Sequence, residues 1–460
     1  MKLIYNVKDR PKLPQLIAFA FQQLLAILAA TIAVPAIVGN GMSQSAALLG
    51  AGVGTIIYLL FTKFKSPVFL GSSFAFITPM LAAFGGAASV AGGYAGILIG
   101  AAMAGLVYVI IAIVVKFAGS KWINKVMPPV VIGPTVALIG LSLAGNAAGD
   151  AVKGAAYDEV AGAWAMNTQG WISLICALVT LAVVMLCSVY GKKMAKMIPF
   201  IIGIAAGYVV ATIFTLIGNA TNNEALKVIN FGLFNNMQWL PDFTFVKAFD
   251  GGFATINGEY IATLAVAYVP VAFVVFAEHL ADHKNISSII DADLLEDPGL
   301  HRTLLGDGIG SVAGAFFGGC PNTTYGESIG CVAISGNASV ITIFTTALIA
   351  IAAAFIAPFT TFLATIPSCV MGGVCISLYG FIAVSGLKMV QKVDFNKNRN
   401  LFTAAVILIT GIGGMALKIG PVKITNIAVA LILGIITNFI LTRKKTENED
   451  PDENENQLIK

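Results

Sequence analysis

The sequence predicts an all-α polytopic membrane protein of about fourteen transmembrane segments, arranged as two inverted seven-span repeats. Three observations predict it. Hydrophobic residues make up 57% of the 460 residues and charged ones 11%, and the mean hydropathy is +0.87. That balance leaves too little polar surface to wrap a soluble chain of this length. Apolar stretches of roughly 17 to 25 residues recur from end to end, each long enough to cross a hydrocarbon core of about 30 Å as a helix. Two stretches that otherwise read as spans are broken by small and polar residues at matching places in the two halves, a pointer to an inverted repeat with its site near the midplane. A β-barrel is excluded, because its strands would alternate rather than run solidly apolar.

Taken in order, the first repeat (14–217) holds stretches at 14–38, 46–62, 68–86, 92–115, 129–145, 169–190 and 198–217. The second (260–442) holds 260–281, 304–319, 321–336, 339–357, 359–386, 400–416 and 424–442. The first stretch follows Lys2, Lys8, Arg10 and Lys12 but lacks a small-residue cleavage site, so it reads as a retained helix. In the third, Gly71-Ser72-Ser73-Phe74-Ala75-Phe76 interrupts the apolar run, and in the tenth Pro321-Asn322-Thr323-Thr324-Tyr325-Gly326-Glu327 does the same. Each is expected to be a short strand plus a half-helix, with backbone N–H and C=O groups that lipid forbids but a cavity can use. Long loops are expected at 146–168 and 218–258. Residues 443–460, acidic and Asn-rich from Thr446 to Gln457, read as a disordered tail.

With an even span count and both termini cytoplasmic, all but five of the 27 Lys and Arg fall on the inner side. The five are Lys153, Lys227, Lys247, Lys418 and Lys423. The clusters Lys63/Lys65, Lys116–Lys125, Lys192–Lys196, Lys388–Arg399 and Arg443–Lys445 all land together, as the positive-inside rule requires. This places the chain in the cytoplasmic membrane. A net charge of +4, spread over short loops, gives no nucleic-acid footprint.

Acids inside apolar runs are the candidate chemistry. Glu278 follows Val271-Ala272-Phe273-Val274-Val275-Phe276-Ala277, where an ionisable group is costly enough to require a function. Asp282 lies one turn on, on the same helix face. Two like charges on one desolvated face favour a carboxyl that takes up and releases a proton near neutral pH. His279 and His283 are one turn apart and offer Asp282 a proton relay, while His283 and more so His301 also read as residues of the cytoplasmic interface. Glu327 sits in the broken tenth stretch beside Gly326, where a half-helix N-terminus presents free N–H groups. Carboxylates with amide donors suit a neutral heterocycle bearing alternating C=O and N–H groups, and repel an anion. The six cysteines lie inside apolar stretches without metal-ligand spacing and read as small buried hydrophobes. No phosphate loop, nucleophile elbow or metalloenzyme motif is present, so no enzyme and no cofactor or metal is predicted.

The runs Ala277-Glu278-His279, Asp297-Pro298-Gly299-Leu300-His301-Arg302 and Pro321-Asn322-Thr323-Thr324-Tyr325-Gly326-Glu327 resemble the bacterial uracil permeases of the nucleobase–ascorbate transporter family. The likeness extends to Gly71-Ser72-Ser73-Phe74-Ala75-Phe76, to Val370-Met371-Gly372-Gly373 with Tyr379, and to Lys392-Val393-Asp394-Phe395-Asn396-Lys397. It implies a core domain of spans one to four and eight to eleven, a gate domain of spans five to seven and twelve to fourteen, a homodimer, and an elevator-like movement. It further implies that Glu278 and Glu327 hold the base with the backbone amides of Phe74 and Gly326, and that Ala30, Tyr325 and Tyr379 pack around it. Three positions depart from the family pattern. Asp282 stands where some relatives carry a histidine, Glu327-Ser328-Ile329-Gly330 replaces Glu-Asn-x-Gly, and Gln22-Gln23 replaces Gln-His. The first assigns proton coupling to Asp282 and Glu278, with His283 as helper. The expected function is import of uracil or a close pyrimidine by proton symport, with sodium as the other cation carboxylates serve. The alternatives are a purine or xanthine permease of the same fold, an anion transporter, and a channel.

Overall fold

The computed structural model describes residues 3–119, 122, 127–192, 194–391, 393–420 and 422–443. Lys2, Lys121, Lys125, Lys193, Lys392, Lys444 and Lys445 of the basic clusters, and the acidic tail, lie outside the described residues.

Helices dominate, and most are apolar on all sides because they are buried by one another on one face and meet lipid on the other. In the first half they are α1 (Leu13–Val38), α2 (Gln44–Phe61), α3 (Ile77–Gly86), α4 (Val90–Ala118), α5 (Pro129–Ser142) with its continuation α6 (Ala144–Ala151), α7 (Thr168–Tyr190) and α8 (Pro199–Thr221). Prolines at the first turn start α1, α5 and α8, where the missing N–H costs nothing. Side-chain caps start others: Ser43 accepts from the Ala46 amide and Ser89 from that of Gly92. The second half holds α9 (Gly258–Ile290), α10 (Leu300–Gly318), α11 (Gly326–Ser335), α12 (Val340–Ala354), α13 (Ala357–Thr365), α14 (Ser368–Val390), α15 (Asn398–Ile412) and α16 (Asn426–Arg443).

Among the described residues, eight helices are long and apolar enough to cross a membrane, nine if the bent pair α12 and α13 counts as one span. Phe74–Gly86, Asn398–Ile412 and Asn426–Thr442 are shorter apolar helices. Two stretches differ from the sequence expectation. The run expected at 359–386 is two helices, because Pro367 ends α13 and starts α14, and α13 itself turns 83° away from α12. The run expected at 260–281 continues nine residues to Ile290. At roughly 50 Å, α9 exceeds the hydrocarbon thickness, so its polar end leaves the bilayer. The long connections are not bare loops: 146–168 carries the hairpin of β2 (Ala156–Asp158) and β3 (Ala163–Ala165), and 218–258 carries four short helices.

The central feature is a two-stranded antiparallel sheet joining the two broken segments. Strand β1 (Leu70–Ser72) pairs with β4 (Asn322–Thr324), Leu70 opposite Thr324 and Ser72 opposite Asn322. Each strand runs into a helix, β1 through the turn Phe74–Phe76 into α3 and β4 into α11. Around this cross, α2 packs on α10 and α12, and α4 on α9 and α10. The α2–α10 contact is glycine on glycine. A Cβ on Gly54 would stand 2.7 Å from the Gly310 carbonyl, and one on Gly310 would stand 2.8 Å from the Gly54 carbonyl. Close backbone approach of small residues is how helices pack without a hydrophobic driving force between them. A second group forms where α14 packs on α5, α6, α7 and α8, and α15 packs on α5 and α16. A second hairpin, β5 (Leu417–Ile419) with β6 (Val422–Ile424), precedes α16.

Candidate functional site

The two strands cross beside the middle of α9, and the cross brings the predicted residues together. The ladder is extended at both ends, by the Ser73 amide on the Pro321 carbonyl at 2.9 Å and the Tyr325 amide on the Phe69 carbonyl at 3.2 Å. Gly71 is required because a Cβ there would enter the Tyr325 ring. That ring is locked by its hydroxyl donating to the Ser72 carbonyl at 2.8 Å. Beyond the cross, the first turn of α11 leaves backbone N–H groups without intrahelical partners at Gly326 and Glu327, a donor end that favours negative charge and carbonyl oxygens.

Glu278 is half-buried on α9, and among the described residues its carboxylate has no hydrogen-bond partner. Asp282, one turn on, accepts from the Thr324 hydroxyl at 2.7 Å, which ties α9 to the last residue of β4. Glu327, in the first turn of α11, is near enough that its charge acts on both Glu278 and Asp282. The three acids therefore lie near one another, with the N–H donors of the first turn of α11 beside Glu327. Ala30, Tyr325 and Tyr379 are buried, with 1%, 4% and 2% of their surfaces exposed. Phe74 meets Tyr379 edge to face at 5.9 Å. That contact joins the α3 side of the site to α14. Among the described residues the Tyr379 hydroxyl is buried without a partner.

His283 is not a surface residue: it and His279 are fully buried, because their side chains meet α2 and α10 there. His279 Nδ1 lies 2.7 Å from Asp307 Oδ2 and its Nε2 lies 3.0 Å from the Thr303 hydroxyl. His283 donates from Nδ1 to the His279 carbonyl at 2.8 Å, and its Nε2 faces the Tyr58 hydroxyl at 2.6 Å. Both His283 nitrogens are thus engaged by groups other than Asp282. His301 is half-buried at the start of α10.

Several residues at the site escaped the sequence reading. Asp307 is buried in α10 between Gly306 and Gly308, and the rule that found Glu278, an acid inside an apolar run, also points to it. Thr324 had no signal of its own. Gln23 and Ser328, two of the departures from the family pattern, are one feature: Gln23 Nε2 donates to Ser328 Oγ at 2.6 Å, and the same oxygen accepts from the Phe69 amide at 3.0 Å. One hydroxyl thereby ties α1, α11 and the approach to β1.

Two cavities lie along α3. One of about 710 Å³ is lined by Thr78, Leu81, Gly85, Tyr260, Lys418 and Asn426 among others. One of about 490 Å³ is lined by Ile37, Leu81, Asn146, Asp150 and Trp164 among others. Both touch Leu81, and the first begins at Thr78, one turn beyond Phe74.

The sequence profile described as the Permease family matches residues 14–420. The uracil permease of Bacillus caldolyticus is 41% identical over 446 residues, covering 96% of this chain and 95% of that one. The uracil permease of Bacillus subtilis (strain 168) is 36% identical over 456 residues, covering 98% of each. The transmembrane domain of a cyanobacterium bicarbonate transporter, BicA, superposes with a TM-score of 0.64 at 15% identity, covering 96% of this chain and 100% of that one, a likeness of fold. The chain belongs to the permease family, and it is a multi-pass membrane transporter rather than an enzyme.

Proposed function

We propose that the protein imports uracil, or a close pyrimidine nucleobase, by proton symport across the cytoplasmic membrane. The observation that carries this reading is the Glu278 carboxylate, set beside Glu327 and the open amides of α11 with no protein hydrogen-bond partner among the described residues. A neutral ring with N–H donors for the carboxylates and carbonyls for the amides matches that set. The uracil permeases among the relatives support the pyrimidine. Glu278 and Glu327 clamp the ring, the amides of Phe74 and Gly326 meet its carbonyls, and Ala30, Tyr325 and Tyr379 enclose it. Glu278 and Asp282 carry the coupling proton. His283 acts at one remove, through the helix turn it fixes.

The movement is elevator-like. Spans one to four and eight to eleven form the core that holds the substrate, and the remaining spans form the gate. The separate packing of α2, α4, α10 and α12 from α5, α7, α8 and α14 supports that division. The full arrangement is fourteen spans in two inverted repeats, 14–217 and 260–442, with both termini cytoplasmic and a homodimer as the working form. The cavities flanking Leu81 open the access path along α3.

Uptake of labelled uracil into vesicles tests the reading. Glu278→Gln is expected to abolish uptake at unchanged membrane abundance, because an amide keeps the shape but loses the double acceptor. Undiminished uptake in that variant removes Glu278 from the clamp. Thymine and cytosine compete if the ring size sets the choice, whereas competition by xanthine or hypoxanthine alone assigns a purine.

A further inference from the structure

The ten-residue helix α11 carries Glu327 at its site end, and its other end stops at Gly336 in a left-handed turn with φ +67. That turn is the end of α11 away from the site. The segment ahead of α1 holds it. The Ile4 amide donates to the Gly336 carbonyl at 2.7 Å and the Tyr5 amide to the same oxygen at 3.2 Å. In return the Ala338 amide donates to the Tyr5 carbonyl at 2.9 Å and the Val340 amide to the Val7 carbonyl at 3.1 Å. The Ser339 hydroxyl closes the row on the Asp9 carbonyl at 2.6 Å, and Tyr5 bridges Asn337 in the parallel sense.

Leu3, Tyr5, Val7 and Asp9 are half-buried while Ile4, Asn6, Lys8 and Arg10 are exposed. Past the Tyr5 bridge, residues 6–9 close a turn in which the Asp9 amide donates to the Asn6 carbonyl at 3.0 Å. Leu3 and Val7 pack on the buried core, and Tyr5 anchors to α1 through its hydroxyl on Gln15 at 2.7 Å and its ring edge on Phe19 at 6.0 Å. The row thus binds the loop after α11 to the helix that also supplies Gln23 to Ser328 within α11. Both ends of α11 are tied to the same element.

We propose that residues 3–9 are a positioning strap that fixes α11, and through it the Glu327 carboxylate and the Gly326 amide, for substrate binding. This rests on the reading of Glu327 and Gly326 as substrate ligands.

A matched pair of variants isolates the strap. Ile4 is 64% exposed, so Ile4→Ala removes little packing and keeps the N–H, whereas Ile4→Pro removes the donor of the shortest backbone bond of the strap. Ile4→Pro and deletion of residues 2–8 are each expected to raise the uracil KM about threefold to tenfold, the scale on which a lost hydrogen bond or two shows in affinity. Membrane abundance and maximal rate are expected to hold, and Ile4→Ala to match the wild type. Hydrogen–deuterium exchange over 326–340 without substrate is the second readout, with faster exchange expected in the Pro and deletion proteins. Unchanged exchange in both proteins overturns the strap. Faster exchange with an unchanged uracil KM overturns its role at the site. A wild type that binds no uracil overturns the substrate reading, while the exchange result still decides the strap. If the deletion protein fails to reach the membrane, the Ile4 pair decides alone.

Discussion

At the residue scale, the site is built from groups that are costly in lipid without a partner. Asp282 has one, the Thr324 hydroxyl, and a hydrogen bond to a carboxylate in a low-dielectric site is worth roughly 1.5–3 kcal/mol. Thr324→Val keeps the volume and removes the donor, so initial uracil uptake is expected to fall about tenfold or more at wild-type abundance, measured in vesicles. Gln23 Nε2 donates to both the hydroxyl and the carbonyl of Ser328, so their replacements should not add: a double-mutant cycle of Gln23→Ala and Ser328→Ala on uracil binding is expected to show coupling of about 1 kcal/mol. Glu278, Glu327 and Asp282 were legible in the sequence because acids inside apolar runs are rare enough to require a function. Asp307 carried the same signal between two glycines. The Gln23–Ser328 bond carried none, since two polar residues that differ from a family pattern do not announce that they touch. The burial of His283 was hidden for a similar reason: hydropathy marks where a helix turns polar, not whether another helix covers that turn.

At the element scale, hydropathy found the long helices because a span is a run of apolar residues of fixed minimum length. It misplaced the region from 339 to 386, where α12 bends by 83° into α13 and Pro367 separates α13 from α14, because each piece is as apolar as the span it interrupts. The strands β1 and β4 were legible as short strands, each leading into a half-helix, but not as partners. Their pairing depends on residues from opposite halves, which no local pattern contains. The glycine notches between α2 and α10 set how closely the helices flanking the cross approach. Gly54→Val puts a branched side chain against the Gly310 carbonyl, so overpacking of about 1–3 kcal/mol is expected. The measurement is the melting temperature of the purified protein in detergent, with Gly145→Ala as control, since a Cβ on Gly145 meets nothing within 4 Å.

At the scale of the whole molecule, membrane residence followed from composition alone, whereas direction and driving force belong to the assembled transporter. Uracil accumulation is expected to rise with an inward proton gradient and to collapse with a protonophore, and replacing sodium by choline is expected to leave it unchanged; the reverse pattern assigns sodium to the carboxylates. The β1–β4 cross also bears on how the chain is made. Its two sides are distant in sequence, Ser72 and Tyr325 being 253 residues apart. At typical synthesis rates the first strand waits roughly 13 to 50 s for its partner. Until then the Phe69 carbonyl and the Ser73 amide lack the Tyr325 amide and Pro321 carbonyl they meet in the folded protein, and hydrocarbon offers them nothing. The first half therefore enters the bilayer with an unfinished third segment, which only the arrival of the tenth completes.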